Sequence, residues 1–109
     1  FALSVKFLSE RLRRELHDQL VKDVLDKFED LGSHESDIAY KGVIIVDSAY
    51  TVSSAVTHRL KRSVQKKFGK KLETEFTVEP GLKAGVVIRW GGYELNGSLR
   101  GALAAQIKG

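Results

Sequence analysis

The sequence has no cysteine, no methionine and a single proline, Pro80. Without cysteine there are no disulfides, thiolate metal sites or thiol nucleophiles, and the redox compartment is left open. The lack of any methionine, an initiator included, predicts a processed chain or a fragment. A fragment is the favoured reading, because the first residues already read as the middle of a helix. No apolar run approaches the ~20 residues that span a bilayer. Phe1 to Leu8 lacks the charged start, apolar run and small-residue cleavage site of a secretory signal. The three histidines, His17, His34 and His58, show neither HxxxH nor HExxH spacing, so no zinc site is indicated. Gly69-Lys70-Lys71 lacks the first glycine and the hydroxyl residue of a phosphate loop, and Gly91-Gly92 lacks the GxGxxG spacing. Asp47, Ser48 and His58 are the residue types of a hydrolytic trio, but Ser48 has no flanking elbow glycines. Glu79 is an acid without a partner. No catalytic, metal or cofactor residue is assigned, and the chain reads as a non-enzyme.

What is present fits one domain of 109 residues. A domain of that size buries about two thirds of the surface its unfolded chain exposes, enough for one core. The apolar share of 42% and charged share of 29% are ordinary for a globular protein. The formal net charge of +4 favours acidic partners without selecting one.

Phe1 to Leu31 reads as one amphipathic helix, with Val5, Leu8, Leu12, Leu16, Leu20, Val24, Phe28 and Leu31 on one face. The mean step along that stripe is roughly 3.7 residues, which leans toward right-handed winding against a partner helix. Gly32 suits its stop, and Gly32 to Lys41 is a polar linker. Gly42 to Ala49 is short, apolar and β-branched, hence a buried strand. Val52, Val56, Leu60, Val64 and Phe68 mark a second helix, capped by Ser53 or Ser54 and ended by Gly69. Lys71 to Val78 alternates as a strand. Pro80 and Gly81 mark a loop. Ala84 to Arg89 is another strand, and Trp90-Gly91-Gly92 turns it into Tyr93-Glu94-Leu95. Asn96 and Ser98 offer cap oxygens for a last helix, Leu99 to Ile107. The expected fold class is α+β: a long, projecting N-terminal amphipathic helix, then a small sheet of about three to four strands with two packed helices. Its divisions are a helix at 1–31, a linker at 32–41 and an α+β domain at 42–109.

Arg59, Lys61, Arg62, Lys66, Lys67, Lys70 and Lys71 form a basic run with no acid among them. Such a run could neutralise phosphates, but no aromatic residues are interleaved to stack on bases. A solvated helix face, or one meeting an acidic protein surface, is favoured over a nucleic-acid partner.

From Val43 to about Ile107 the chain resembles the C-terminal domain of the delta (OSCP-type) subunit of F-type ATP synthases. The similarity starts with VDSAYTVSSAVTHRLKRSVQKKFGKKL, where Val52-Ser53 stands at the family's Leu-Ser helix start and Lys66 to Lys71 resembles its K-K-x-G-K-K segment. It continues with Val78-Glu79-Pro80, with Gly85-Val86-Val87-Ile88-Arg89, and with Asn96-Gly97-Ser98-Leu99-Arg100. Glu79, Ala84 and Asn96 depart from the family's Asp, Gly and Asp. Gly69, Pro80, Gly85, Asn96, Gly97 and Ser98 are accordingly read as turn and cap residues. The resemblance implies a static role: a peripheral-stalk (stator) component that grips b-type stalk helices, acts indirectly on the alpha/beta head, and lies peripheral to the energy-coupling membrane on the head side. The expected docking surface is Leu8, Leu12, Leu16 and Leu20, with exposed parts of the last helix; this choice rests on pattern and not on a family motif. A delta-like domain on a b-type subunit, an E-like stalk subunit of an A/V-type or flagellar export ATPase, and a basic nucleic-acid-binding module remain alternatives.

Overall fold

A computed structural model of the chain describes residues 10–31 and 40–99. Residues outside those spans include Leu8 and the expected last helix beyond Leu99. The described elements are α1 (Glu10–Asp30), β1 (Ile44–Ser48), α2 (Ser54–Phe68), β2 (Thr74–Val78), a 3₁₀ turn (Pro80–Leu82), β3 (Gly85–Trp90) and β4 (Tyr93–Ser98). The class is α+β.

The four strands form one sheet in the order β2-β1-β3-β4. β1 and β2 are parallel, with Val46 opposite Phe76. A parallel pair needs a crossover, and α2 supplies it. Ser53 caps α2: its Oγ accepts from the Val56 N–H at 3.3 Å. Gly69 closes the helix in the left-handed conformation, φ 71°. The 3₁₀ turn reverses the chain into β3, which runs antiparallel to β1 with Ile88 opposite Val46. Gly91 and Gly92, at φ 50° and 87°, make the two-residue turn into β4, the positive-φ pair that matches strand twist in a tight hairpin.

Both helices cover the same face of the sheet. The core joins Val21, Val24, Leu25 and Phe28 of α1 to Leu60, Val64 and Phe68 of α2 over Ile44, Val46, Val86, Ile88 and Trp90. Trp90 anchors one end, with the Phe28 ring edge-on at 5.3 Å and the Lys67 Nζ 5.7 Å from its ring centre. On the opposite face, among the described residues, a small cluster of Ala49, Leu82 and Val87 is buried. Elsewhere that face carries exposed Ile45 and a polar cluster in which Arg89 is paired to Asp47 and, at 2.9 Å, to Glu94.

Two features differ from the sequence reading. The first helix does not project over its described length, because α1 lies on the sheet through His17, Val21, Val24, Leu25 and Phe28. β4 runs on past Leu95 through Asn96, Gly97 and Ser98, paired with Val87, Val86 and Gly85, and Leu99 directly after it is helical. Packing explains the second. A Cβ on Gly97 would run into the Val24 side chain and sit 3.1 Å from its Cβ, so the bare glycine lets α1 come down onto β4. The cap chemistry is still used: the Asn96 Oδ1 accepts from the Ser98 N–H at 3.1 Å and from its hydroxyl at 2.7 Å.

Candidate docking groove

The middle of α1 and the N-terminal half of α2 flank a groove of about 530 Å³ above the sheet. Its floor is apolar, made of Val46, Phe76, Val86 and Ile88. Val21 and Leu25 form one wall and Val52, Val56 and Leu60 the other, while Arg14, Asp18, Lys22 and Arg59 reach its rim. An apolar trough with a charged rim between two helices suits a third amphipathic helix, which would bury one stripe and leave its charges wet.

Polar ties set the spacing of the two walls. The Arg59 guanidinium bonds Asp26 Oδ1 at 2.7 Å and both Glu29 oxygens at 2.8 and 3.0 Å. Ser63 donates to Glu29 at 2.8 Å. The Arg59 bond, with help from Ser63, holds the Glu29 carboxyl below its ordinary range despite some desolvation. Glu29 and Asp26 in turn raise Arg59.

At the other end stands His17, 5% exposed. Its Nδ1 accepts the Gly85 backbone N–H at 2.9 Å, so the ring is neutral with its proton on Nε2. Burial lowers its pKa from the ordinary 6.5; Arg14 adds to the drop and Asp18 opposes it. Tyr50 packs edge-on to the ring at 4.8 Å. The Tyr50 hydroxyl donates to Glu10 at 2.9 Å, and the Arg14 guanidinium lies 4.8 Å from the Tyr50 ring centre.

The leucines named from sequence occupy a different flank of α1. Leu12 is 52% exposed, and Leu16 and Leu20 are half-buried; none of the three lines the groove. Residues four apart on a helix advance about 40° beyond a full turn. A row of leucines at that spacing therefore drifts off the buried face as it runs back from Val24. Leu8 lies outside the described residues. Of the turn and cap residues, Gly85 sits at φ 87° and supplies the N–H that His17 accepts. Pro80 opens the 3₁₀ turn, where Glu79 accepts from the Gly81 N–H at 3.0 Å.

The profile of the ATP synthase delta (OSCP) subunit family matches residues 5–107. The chain belongs to that family. Its relatives include ATP synthase subunit delta of Marinobacter nauticus, 31% identical over 75 residues, covering 69% of this chain and 42% of the relative. Subunit delta of Persephonella marina is 35% identical over 60 residues, covering 55% and 32%. That of Teredinibacter turnerae is 34% identical over 59 residues, covering 54% and 33%. The chain thus spans less than half the length of these curated relatives.

Sequence reasoning missed three parts of this delta-family groove. The predicted stripe omits His17, although His17, Val21, Val24 and Phe28 are themselves spaced four, three and four apart, a signal present in the sequence. The Arg59 tie to Glu29 spans 30 residues and left no local trace. Phe76 was placed on an alternating strand, but nothing local could set it beneath both helices.

Proposed function

We propose that this delta-family chain is a non-catalytic component of the peripheral stalk of an F-type ATP synthase, docking stalk helices against the catalytic head. The observation that carries the reading is the groove between α1 and α2, lined by apolar residues of both helices and the sheet. Family membership supports the context, and the exposed leucine flank of α1 extends the apolar surface. In this reading Leu8, Leu12, Leu16 and Leu20 face a partner, residues 1–31 lead through the 32–41 linker into the α+β unit at 42–109, and the unit works on the head side of the energy-coupling membrane. Among the described residues no helix is long and apolar enough to cross a membrane, so the chain reaches it through the complex. Affinity would come from burying apolar stripes, at about 1.5–3 kcal/mol per fully buried leucine or valine, with rim charges setting register.

Calorimetric titration of the chain with a peptide from the C-terminal end of the cognate stalk b subunit tests this. Saturable binding that survives high salt, with a negative heat-capacity change, supports apolar docking. Absence of binding, alongside tight salt-sensitive binding to nucleic acid, would overturn it.

A further inference from the structure

We infer that the outward face of α2 is a second contact, which receives an acidic segment of a neighbouring protein. The inference deepens the stalk reading by naming the chemistry of one partner surface, and rests on that reading only for where the partner comes from. From Ser48 to Leu72 the chain carries no acid. Within that stretch Arg59, Arg62 and Lys66 recur at helical spacing, which places them on one face of α2. Together with Ser63, Phe28 and Glu29 they line a cleft of about 460 Å³ beside the C-terminal half of α1.

That cleft already reads carboxylates. Arg59 binds Glu29 through two nitrogens and also takes Asp26, the fork geometry that favours arginine over lysine for carboxylate recognition. One step outward, Arg62 and Lys66 are exposed. Arg62 has no ion pair among the described residues, and Lys66 acts on Glu29 only through longer-range attraction. α1 thus fills the inner carboxylate position, and the outer cations are left for an acidic partner.

The competing anionic surfaces fit less well. Single-stranded nucleic acid calls for exposed rings on which bases stack, yet Phe28 and Phe68 are each 1% exposed. A membrane-surface helix needs large apolar side chains to insert. The exposed large apolar residues among those described are Leu12, Leu31, Ile45, Val78 and Tyr93, none of them on α2.

The test uses the full chain and, as probe, a glutamate-rich helical peptide about 20 residues long, enough to hold a helix in water. Binding is measured by fluorescence anisotropy across a salt series, beside a single-stranded oligonucleotide and phosphatidylglycerol vesicles. Arg62→Glu/Lys66→Glu is expected to weaken peptide binding at least about tenfold. The charge-matched Arg11→Glu/Lys27→Glu on α1 is expected to leave it within about twofold. Equal losses in the two variants would reduce the effect to net charge and overturn the inference. So would absence of peptide binding, or tighter binding of the oligonucleotide or the vesicles. The α2 variant should leave high-salt docking of the stalk peptide intact, so failure of this contact and failure of the stalk reading are separable.

Discussion

Gly97→Ala should destabilise the chain although alanine is the better residue on every local ground. Gly97 is a strand residue with ordinary negative φ, so adding a methyl would normally stabilise by about 0.4–1 kcal/mol through the unfolded chain. Here the new Cβ points at Val24, a β-branched side chain with one preferred helical rotamer and only 2% exposure. It would collide with a Val24 methyl and stand 3.1 Å from its Cβ and 3.4 Å from the Val86 carbonyl oxygen. Valine cannot rotate away, so α1 must lift from β4. Overpacking of this type costs about 1–3 kcal/mol, leaving a net loss of about 1–2 kcal/mol. Urea denaturation reads this directly, and the melting temperature should fall roughly 4–8 °C for each kcal/mol lost. Val24→Ala alone should cost about 2 kcal/mol by opening a cavity. In that background the Gly97→Ala penalty should largely vanish, giving a coupling of about 1 kcal/mol or more. An equal Gly97→Ala penalty in both backgrounds, or a stabilisation by Gly97→Ala alone, would refute the claim that α1 rests on β4 through this contact.

Stability should also depend on pH through His17. Its folded pKa is lowered by burial, so below about 6.5 the unfolded chain binds the extra proton. Stability is full above that value and falls as pH drops toward the folded pKa, and His17→Gln should flatten this limb of a pH series of urea melts. A second decline should begin below about 4.5 as Glu29 protonates, because Arg59 holds its folded pKa down. Arg59→Ala should remove that second limb and cost about 1 kcal/mol, a modest figure because the Arg59 side chain is 32% exposed and its partners more so. Arg59→Lys should recover only part of the loss, since an ammonium cannot span both Glu29 oxygens; carboxyl titration by NMR follows the group itself. Lys67→Met should keep the packing and lose the attraction to the Phe28 and Trp90 rings, about 1 kcal/mol in chemical denaturation.

Local patterns were legible where local chemistry decides the structure. The β-branched run at Ile44 to Val46, the apolar stripe of α2 with its serine cap and glycine stop, and the Trp90-Gly91-Gly92-Tyr93 turn all read correctly because each is set within a few residues. α1 was legible as a helix, and Val24 and Phe28 of its predicted stripe are buried, but the rest of the face it buries was not read. The leucines continue that stripe toward the N-terminus, whereas the sheet takes Val24 and Phe28 together with Val21 and His17 beside them, with Gly97 against Val24 and the Gly85 N–H against His17 as the matching features 73 and 68 residues away. Asn96-Gly97-Ser98 reads locally as a cap because asparagine and glycine are depleted in strands. Pairing to β3 and the close approach of α1 place the same residues in a strand as well. The groove had no sequence signature at all, since its floor and walls come from five elements brought together only by the topology.

The central claim is that a stalk helix docks on the helical side of the sheet, and methyl NMR of the full chain, free and saturated with the stalk b peptide, tests it most directly. The account predicts large shifts at Val52 and Val56 in the groove and at Leu12 and Leu16 on the α1 flank. Ile45 on the opposite sheet face and Val78 at the edge strand, 39% and 50% exposed, should stay where they are. Shifts confined to Ile45 and Val78, or none at saturation in the groove and on the leucine flank, would contradict it.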